Sequence, residues 1–368
     1  MHQFNLIDIE NNLAILDFIP DWVKITDLFG RIVYANKALR EELNFDPQGM
    51  FLESLSVVHE SDIFKSPRPL TEKEKNHVHS ANIHYDGRYF NVVSAPITDN
   101  QNVVTAIVEV YRDVTAERKV EYALKLHNEN LSRDLQLTKK IQQSILPRNA
   151  NLGPIDFKYF YTPCEPLSGD IFDVVPIGRN VTSAYVCDVA GHGVAAAMVT
   201  VFVRETMRSL EDFHSSAYDL KQLHRRFLNL GLDMDQYLTM FHVLIDTKEN
   251  TLSYSNAGHN CPMFFIRGRD VETITISGKP VTALFETIDF KENILRFYPG
   301  DKILLLTDGI LEARNQRGEE FGIERIISEI KKNPDQILES LKKAIYMFSG
   351  DKQEDDMCAL LIHYKGEE

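Results

Sequence analysis

The sequence predicts an α+β protein in three parts: a region of sheet with helices, one long helix, and a larger region of stacked sheets with helices outside. Three observations predict it. Apolar runs bounded by turn residues mark strands in both end regions. A long central stretch contains neither Gly nor Pro. In the last region strands and helices come in blocks rather than in strict alternation, the pattern of an α+β domain.

The first region covers residues 1–114. Residues 22–26 and 31–35 read as strands, and Asp27-Leu-Phe-Gly30 between them has the composition of a hairpin turn. A short helix is expected over residues 36–43. After a polar, Pro-bearing loop, residues 88–94 and 103–111 read as two more strands. A sheet with helices on one face follows from this order.

The second region, residues 115–147, is the linker. Ala116, Glu117, Arg118, Lys119, Glu121, Ala123, Leu124 and Lys125 are good helix formers, and Pro147 ends the run. At 1.5 Å per residue the helix spans roughly 48 Å, enough to separate two domains. Leu124, Leu131 and Ile145 keep heptad phase, with Thr138 in the same column. The second column, Val120, His127, Asp134 and Ile141, is half polar. The helix fits either a coiled coil or a single helix lying along a neighbouring domain.

The third region covers residues 148–368. Residues 171–177 and 182–188 read as adjacent strands, and 194–210 and 217–233 as long helices. Further strands are expected at 239–245, 251–256, 263–267, 272–276 and 302–307, and a buried strand at 357–363 closes the chain.

Composition narrows the function classes. The 368 residues suit two domains, and 43% hydrophobic with 26% charged residues is ordinary for a globular chain that stands without disulfides. Cys164, Cys187, Cys261 and Cys358 form no C-x-x-C pair, which argues against a zinc site and fits a reducing compartment. A formal charge of −14 speaks against nucleic acid as a partner, because a binder of that kind needs a basic face. No signal-peptide pattern opens the chain, and no apolar run approaches the ~20 residues that cross a bilayer. A cytoplasmic protein that binds no membrane is expected.

The chemistry lies in acids at strand ends. Asp170 follows Ser168-Gly169, and Asp188 opens Asp-Val-Ala-Gly-His-Gly193 directly after an apolar run. Asp308 sits in Thr307-Asp-Gly309, and Asp355-Asp356 precede Met357-Cys-Ala-Leu-Leu-Ile362. Carboxylates that converge repel one another unless a cation compensates. Hard divalent ions do so, and they prefer oxygen ligands. A pair of them can bind a phosphate and activate a water for attack on it. The flanking glycines let the backbone approach closely. Each piece alone has a plainer reading: Asp308-Gly309 as a turn, Gly191-His-Gly193 as a loop before a helix, Asp355-Asp356 as solvated charge. The ordered set is what points to phosphoester hydrolysis.

That set resembles a known family. Ser168-Gly-Asp-Ile-Phe-Asp173, Asp188-Val-Ala-Gly-His-Gly-Val-Ala-Ala-Ala197, Tyr254-Ser-Asn-Ala-Gly-His-Asn260, Thr307-Asp-Gly309 and Asp355-Asp-Met-Cys358 are similar to the SpoIIE-type branch of the metal-dependent (PPM) protein phosphatases. Ile141-Gln-Gln-Ser-Ile-Leu-Pro147 resembles the segment that leads into that domain. The resemblance covers residues 141–364. It implies an αββα sandwich with two manganese or magnesium ions between its sheets. It further implies that Asp188 bridges the two metals, with Val189 offering its carbonyl, that Asp170 serves one metal, and that Asp308 and Asp355 serve the other. These four aspartates would act through metal-bound water, with Asp173, Gly191, His192 and Asp356 as secondary candidates. His192 suggests a general acid or a loop-shaping residue, and His259 the brace of a turn. The chain departs from the family at Cys358, where Thr is common, and in Gly278-Lys-Pro-Val-Thr-Ala-Leu284, which lacks a Gly after Pro280.

Trp22-Val-Lys-Ile-Thr-Asp-Leu-Phe-Gly-Arg-Ile-Val-Tyr-Ala-Asn36 resembles the start of a PAS domain. Val110-Tyr-Arg-Asp-Val-Thr-Ala-Glu-Arg-Lys119 resembles its last strand running into a signalling helix. The resemblance implies a sensor that dimerises and passes a change through that helix. The region holds no Cys for flavin attachment. His77, His79 and His84 are the candidates for haem, but each reads more readily as a surface histidine than as an iron ligand; the sensor's ligand is left open.

Together the resemblances imply a sensor-regulated serine/threonine phosphatase of the kind that serves sigma-B stress pathways. Its substrate would be a phosphorylated STAS-domain anti-sigma-factor antagonist, and the chain would be a homodimer through sensor and linker. The alternative is a sensor adaptor whose phosphatase fold binds without catalysing. A histidine kinase or a cyclic-dinucleotide synthase fails on residues, because the chain has no Gly-Gly-Asp/Glu-Glu-Phe run, no glycine-rich ATP lid and no phosphoacceptor His motif.

Overall fold

The computed structural model describes residues 13–58, 78–147, 150–191, 193–210, 215–233, 235–350 and 352–366. The chain forms two compact units, 1–130 and 131–368, and the boundary falls inside the long linker helix.

In the first unit β1 (Trp22–Asp27) and β2 (Ile32–Ala35) form the expected hairpin, closed by Asp27 N–H donating to Arg31 O at 2.9 Å. Helix α1 (Lys37–Leu43) starts where Asn36 Oδ1 accepts from Leu39 N–H at 3.1 Å, an Asx N-cap. Helix α2 (Leu52–Val58) and strands β3 (His79–Tyr85), β4 (Arg88–Thr98) and β5 (Val104–Asp113) complete the unit. The antiparallel sheet runs β2-β1-β5-β4-β3. Trp22, Phe90, Val92 and Tyr111 on one face pack with Leu39, Leu43, Leu52 and Leu55 of the helices. His84 is exposed beside the Tyr89 ring, 4.7 Å between centroids, and His77 lies outside the described residues. Helix α3 (Thr115–Ile145) leaves the sheet with Val120, Leu124, Leu131 and Ile141 at least half exposed. No helix among the described residues is long and apolar enough to cross a membrane.

The second unit is a four-layer sandwich. Its elements in order are β6 (Ala150–Leu152), β7 (Ile155–Thr162), β8 (Asp170–Ile177), β9 (Val181–Val189), α4 (Val194–Arg208), α5 (Ser216–Leu228), β10 (Tyr237–Asp246), β11 (Thr251–Ala257), β12 (Met263–Arg267), β13 (Asp270–Ile274), β14 (Val281–Thr282), β15 (Glu292–Arg296), β16 (Lys302–Leu306), α6 (Asp308–Leu311), α7 (Gly322–Lys332), α8 (Ile337–Ser349) and β17 (Met357–Tyr364). One sheet runs β15-β11-β10-β9-β8, with β14 beside β10; the other runs β13-β12-β16-β17-β7-β6.

Strand periodicity explains the layering. Alternate residues of a strand face opposite sides. Phe172, Val186 and Phe241 of the first sheet meet Phe157, Leu305 and Leu360 of the second in the core between sheets. Ile171, Tyr185 and Cys187 face the other way, onto Val199 and Val203 of α4 and Leu220 and Leu223 of α5. Phe264, Leu304 and Leu306 do the same against Ile326 and Ile330 of α7 and Leu341 and Ile345 of α8. In the segment 278–284, Val281 and Thr282 pair with Leu238 and Tyr237 as β14.

Candidate active site

The acids gather at one end of the sandwich, each sheet bringing part of the set. Asp170 opens β8 and Asp188 lies near the end of β9, directly opposite one another in the ladder. Both share a face with Phe172 and Val186, so they look into the space between the sheets. Like charges placed so oppose folding, and burial together with repulsion among the acids raises both pKa values. Burial first, and then Asp188, raise the pKa of Asp170 well above the carboxylate range, against the lowering effect of the Thr307 hydroxyl. Asp188 is pushed up to about 7, by burial and then by Asp308 and Asp355. Asp170 is 3% exposed and its Oδ2 has no hydrogen-bond partner. A buried carboxylate oxygen without a donor suits a cation.

The second sheet supplies Asp308 and Asp355. Thr307 ends the chain's passage along β16 and serves as N-cap of α6, whose first residue is Asp308. Asn260 Nδ2 donates to Asp308 Oδ2 at 3.3 Å. Thr307 Oγ1 accepts from Cys358 N–H at 2.9 Å, which locks β16 to the start of β17. Asp355 lies just before β17; burial and then its neighbour Asp308 raise its pKa against the backbone N–H of Asp356, which it accepts at 2.8 Å. As the side chains stand, no three acid, imidazole or thiol groups among the described residues form a closed metal cage.

Glycines set the close approaches. A Cβ on Gly309 would lie 2.1 Å from Asp356 O, and one on Gly169 would lie 2.7 Å from Val189 O and 3.1 Å from Gly191 O. The second contact holds the Val189 carbonyl against the Asp170 loop, where Val189 N–H donates to Gly169 O at 3.0 Å. The Val189 side chain is buried under the helices, so its carbonyl is what it can offer to an ion. Gly191 has φ +92°, a conformation costly for other residues. His192 lies outside the described residues.

Two secondary candidates find other roles. Asp173 is three residues from Asp170, so it points to the opposite face. There it is fully buried and bound by Arg208, through Nε at 2.6 Å and NH2 at 2.9 Å, with Arg204 at 3.7 Å. Asp173 pins α4 to the sheet and is not in the carboxylate group. Asp356 is in the group's immediate surroundings. Its carboxylate accepts from Cys164 N–H at 2.7 Å, Ser168 Oγ at 2.6 Å and Gly169 N–H at 3.0 Å, so it organises the loop before Asp170.

Sequence reasoning missed Gln142, Thr307 and Asn260 as site supports. Gln142, near the end of α3, donates to Ser168 O at 2.7 Å and to Thr200 Oγ1 at 3.2 Å, and accepts from Ser168 N–H at 3.1 Å. Its side chain is 5% exposed. A buried Gln in an otherwise solvated helix leaves no periodic signal, and only the quoted run Ile141–Pro147 hinted at it.

The chain is similar to several known proteins. Residues 178–365 match the family described as Stage II sporulation protein E (SpoIIE), and residues 20–116 match the PAS domain family. The chain is 24% identical over 245 residues to phosphoserine phosphatase RsbP of Bacillus subtilis, covering 64% of this chain and 59% of that protein. It is 27% identical to protein IcfG of Synechocystis, covering 62% of this chain and 41% of that one. The chain thus spans about half the length of the curated relatives it matches. The SiaA-PP2C domain of Pseudomonas aeruginosa superposes with a TM-score of 0.56 at 20% identity, covering 65% of this chain and 98% of the domain. That likeness carries the fold.

Proposed function

We propose that this chain, which belongs to the Stage II sporulation protein E (SpoIIE) family and carries a PAS domain ahead of it, is a metal-dependent protein serine/threonine phosphatase under sensor control. The observation that carries the reading is the placement of Asp170 and Asp188 on one sheet and of Asp308 and Asp355 beside the other, with Asp170 Oδ2 buried and unpartnered. Asp170, Asp188, Asp308, Asp355 and the Val189 carbonyl would hold two divalent cations, manganese or magnesium. Such ions supply positive charge for the phosphate and lower the pKa of a water for attack on phosphorus. The chain's own part is to position: Thr307 and Asn260 orient the acids, Asp356 fixes the loop before Asp170, and the core between the sheets keeps the floor dry.

The substrate we assign is phosphoserine or phosphothreonine, a reading supported by the similarity to phosphoserine phosphatase RsbP, carried on a STAS-domain anti-sigma-factor antagonist. A homodimer through sensor and linker would cover the exposed Val120, Leu124 and Leu131. Four unpaired cysteines suit the cytoplasm.

The test is phosphate release from a serine-phosphorylated STAS-domain protein, with and without Mn2+, by the full chain, by residues 131–368, the whole second unit, and by Asp188→Ala. We expect release that needs Mn2+, differs between the two lengths, and falls at least 100-fold in the variant. Undiminished release by Asp188→Ala refutes the site. No release by the full chain, with Mn2+ bound, turns the reading to an adaptor.

A further inference from the structure

We propose that His259 is a positioning residue, a strut between the two sheets that sets the spacing of the two halves of the carboxylate group. The inference rests on the metal-site reading above. The chain passes from β11 in one sheet to β12 in the other at this end of the sandwich, and His259 sits in that crossing. The ring is buried, 5% exposed, and both nitrogens are engaged. Nε2 lies 2.9 Å from Leu306 O, and Nδ1 lies 3.0 Å from Thr239 Oγ1. A carbonyl can only accept, so Nε2 carries the hydrogen; burial lowers the ring's pKa, and in the neutral tautomer this leaves, Nδ1 accepts from the threonine hydroxyl.

The two ends of this strut fall at informative places. Thr239 is the direct cross-strand partner of Asp188. Leu306 is the last residue of β16, two before Asp308. One imidazole therefore joins the sheet carrying Asp188 to the strand that leads into Asp308. The strut is itself held. Asn256 Oδ1 accepts from His259 N–H at 2.6 Å, and Asn256 Nδ2 donates to His259 O and to Ile276 O, both at 2.8 Å. Gly258, at φ +73°, lets the turn press against Pro280, where a Cβ would lie 2.7 Å from the Pro280 nitrogen. The next residue, Asn260, reaches Asp308 directly. Mutual repulsion of the acids pushes the sheets apart at this end, and the strut opposes it. Groups that orient metal ligands from behind typically govern affinity by 10–100-fold.

Thr239→Val tests this, because it removes the Nδ1 arm, keeps the side-chain shape and leaves the Leu306 bond in place. Thr239→Ser restores the hydroxyl. We would titrate Mn2+ into the metal-free full chain by calorimetry and follow unfolding by urea in EDTA. Mn2+ affinity should fall about tenfold in Thr239→Val and stay within about twofold in Thr239→Ser, with both variants folded. His259→Gln should weaken Mn2+ at least as much as Thr239→Val. Unchanged Mn2+ affinity in Thr239→Val, or equal losses in Val and Ser, overturns the strut alone. A wild-type chain that binds no Mn2+ overturns the metal-site reading and the strut with it.

Discussion

Replacing Asp219 with Asn should remove a pH dependence from the stability of the phosphatase unit. Asp219, on α5, and His242, on β10, are both fully buried, 3.8 Å apart, and neither Asp219 oxygen has a hydrogen-bond partner. Burial, and then Glu292, push Asp219 up to about 8, whereas burial pushes His242 down to about 4. Near neutral pH both are therefore uncharged, and their contact is not an ion pair. The raised Asp219 pKa contributes stability that is fully present below its unfolded value of 3.8 and is lost as pH rises through about 8. The lowered His242 pKa contributes the opposite: stability present above 6.5 and lost as pH falls towards about 4. From about pH 4 to 6.5 the two slopes cancel. From 6.5 to 8 only Asp219 acts, and ~1.5 pH units at 1.36 kcal/mol each give a loss of about 2 kcal/mol. The assay is urea unfolding by circular dichroism in EDTA at pH 6.5 and 8.0. Trp22, the chain's single tryptophan, separates the sensor's transition by fluorescence. The acids of the carboxylate group titrate in both proteins and drop out of the comparison. The wild type should lose about 2 kcal/mol more than Asp219→Asn over this interval. Equal losses would refute the reasoning.

Three further outcomes follow from the contacts. Gln142→Leu strips the hydrogen bonds from the buried Ser168 backbone and should cost about 2 kcal/mol, with a fall in Mn2+ affinity measured by calorimetry. Gly309→Ala places a methyl on the Asp356 carbonyl and should abolish phosphate release while the sensor's Trp22 transition stays in place. Arg208→Met leaves Asp173 buried with only the more distant Arg204, and should cost about 3 kcal/mol in urea unfolding without altering Mn2+ affinity; a loss of Mn2+ binding there would return Asp173 to the metal group.

Much of the fold is legible in the residues. Strands such as β9 and β16 are short apolar runs, and α3 lacks breakers from end to end. Not anticipated were β3, β6, β7, β14, β15 and the helices α2, α6, α7 and α8. β3 carries two histidines and an asparagine on an exposed edge, which hides its alternation. For α7 the signal is present: Ile323, Ile326, Ile327 and Ile330 hold helical spacing and two of them are buried against the sheet.

The sequence by itself singled out the acids that the structure gathers at one end of the sandwich, because a carboxylate at the end of an apolar strand, beside a glycine, is legible without coordinates. Only the tertiary structure decided which side of a strand each acid takes and what stands behind it. Asp170 and Asp173 lie in one short motif, yet strand alternation sends one between the sheets and the other to Arg208. In the sensor, Lys24 and Glu109 are 85 residues apart in sequence and meet at 2.8 Å in a buried ion pair because β1 lies beside β5. His259, Thr239 and Leu306 come from three separated stretches, and Gln142 reaches Ser168 across 26 residues of sequence within the second unit. Such partners are chosen by the register of strands and the stacking of sheets, which depend on the whole chain's packing rather than on any local run of residues.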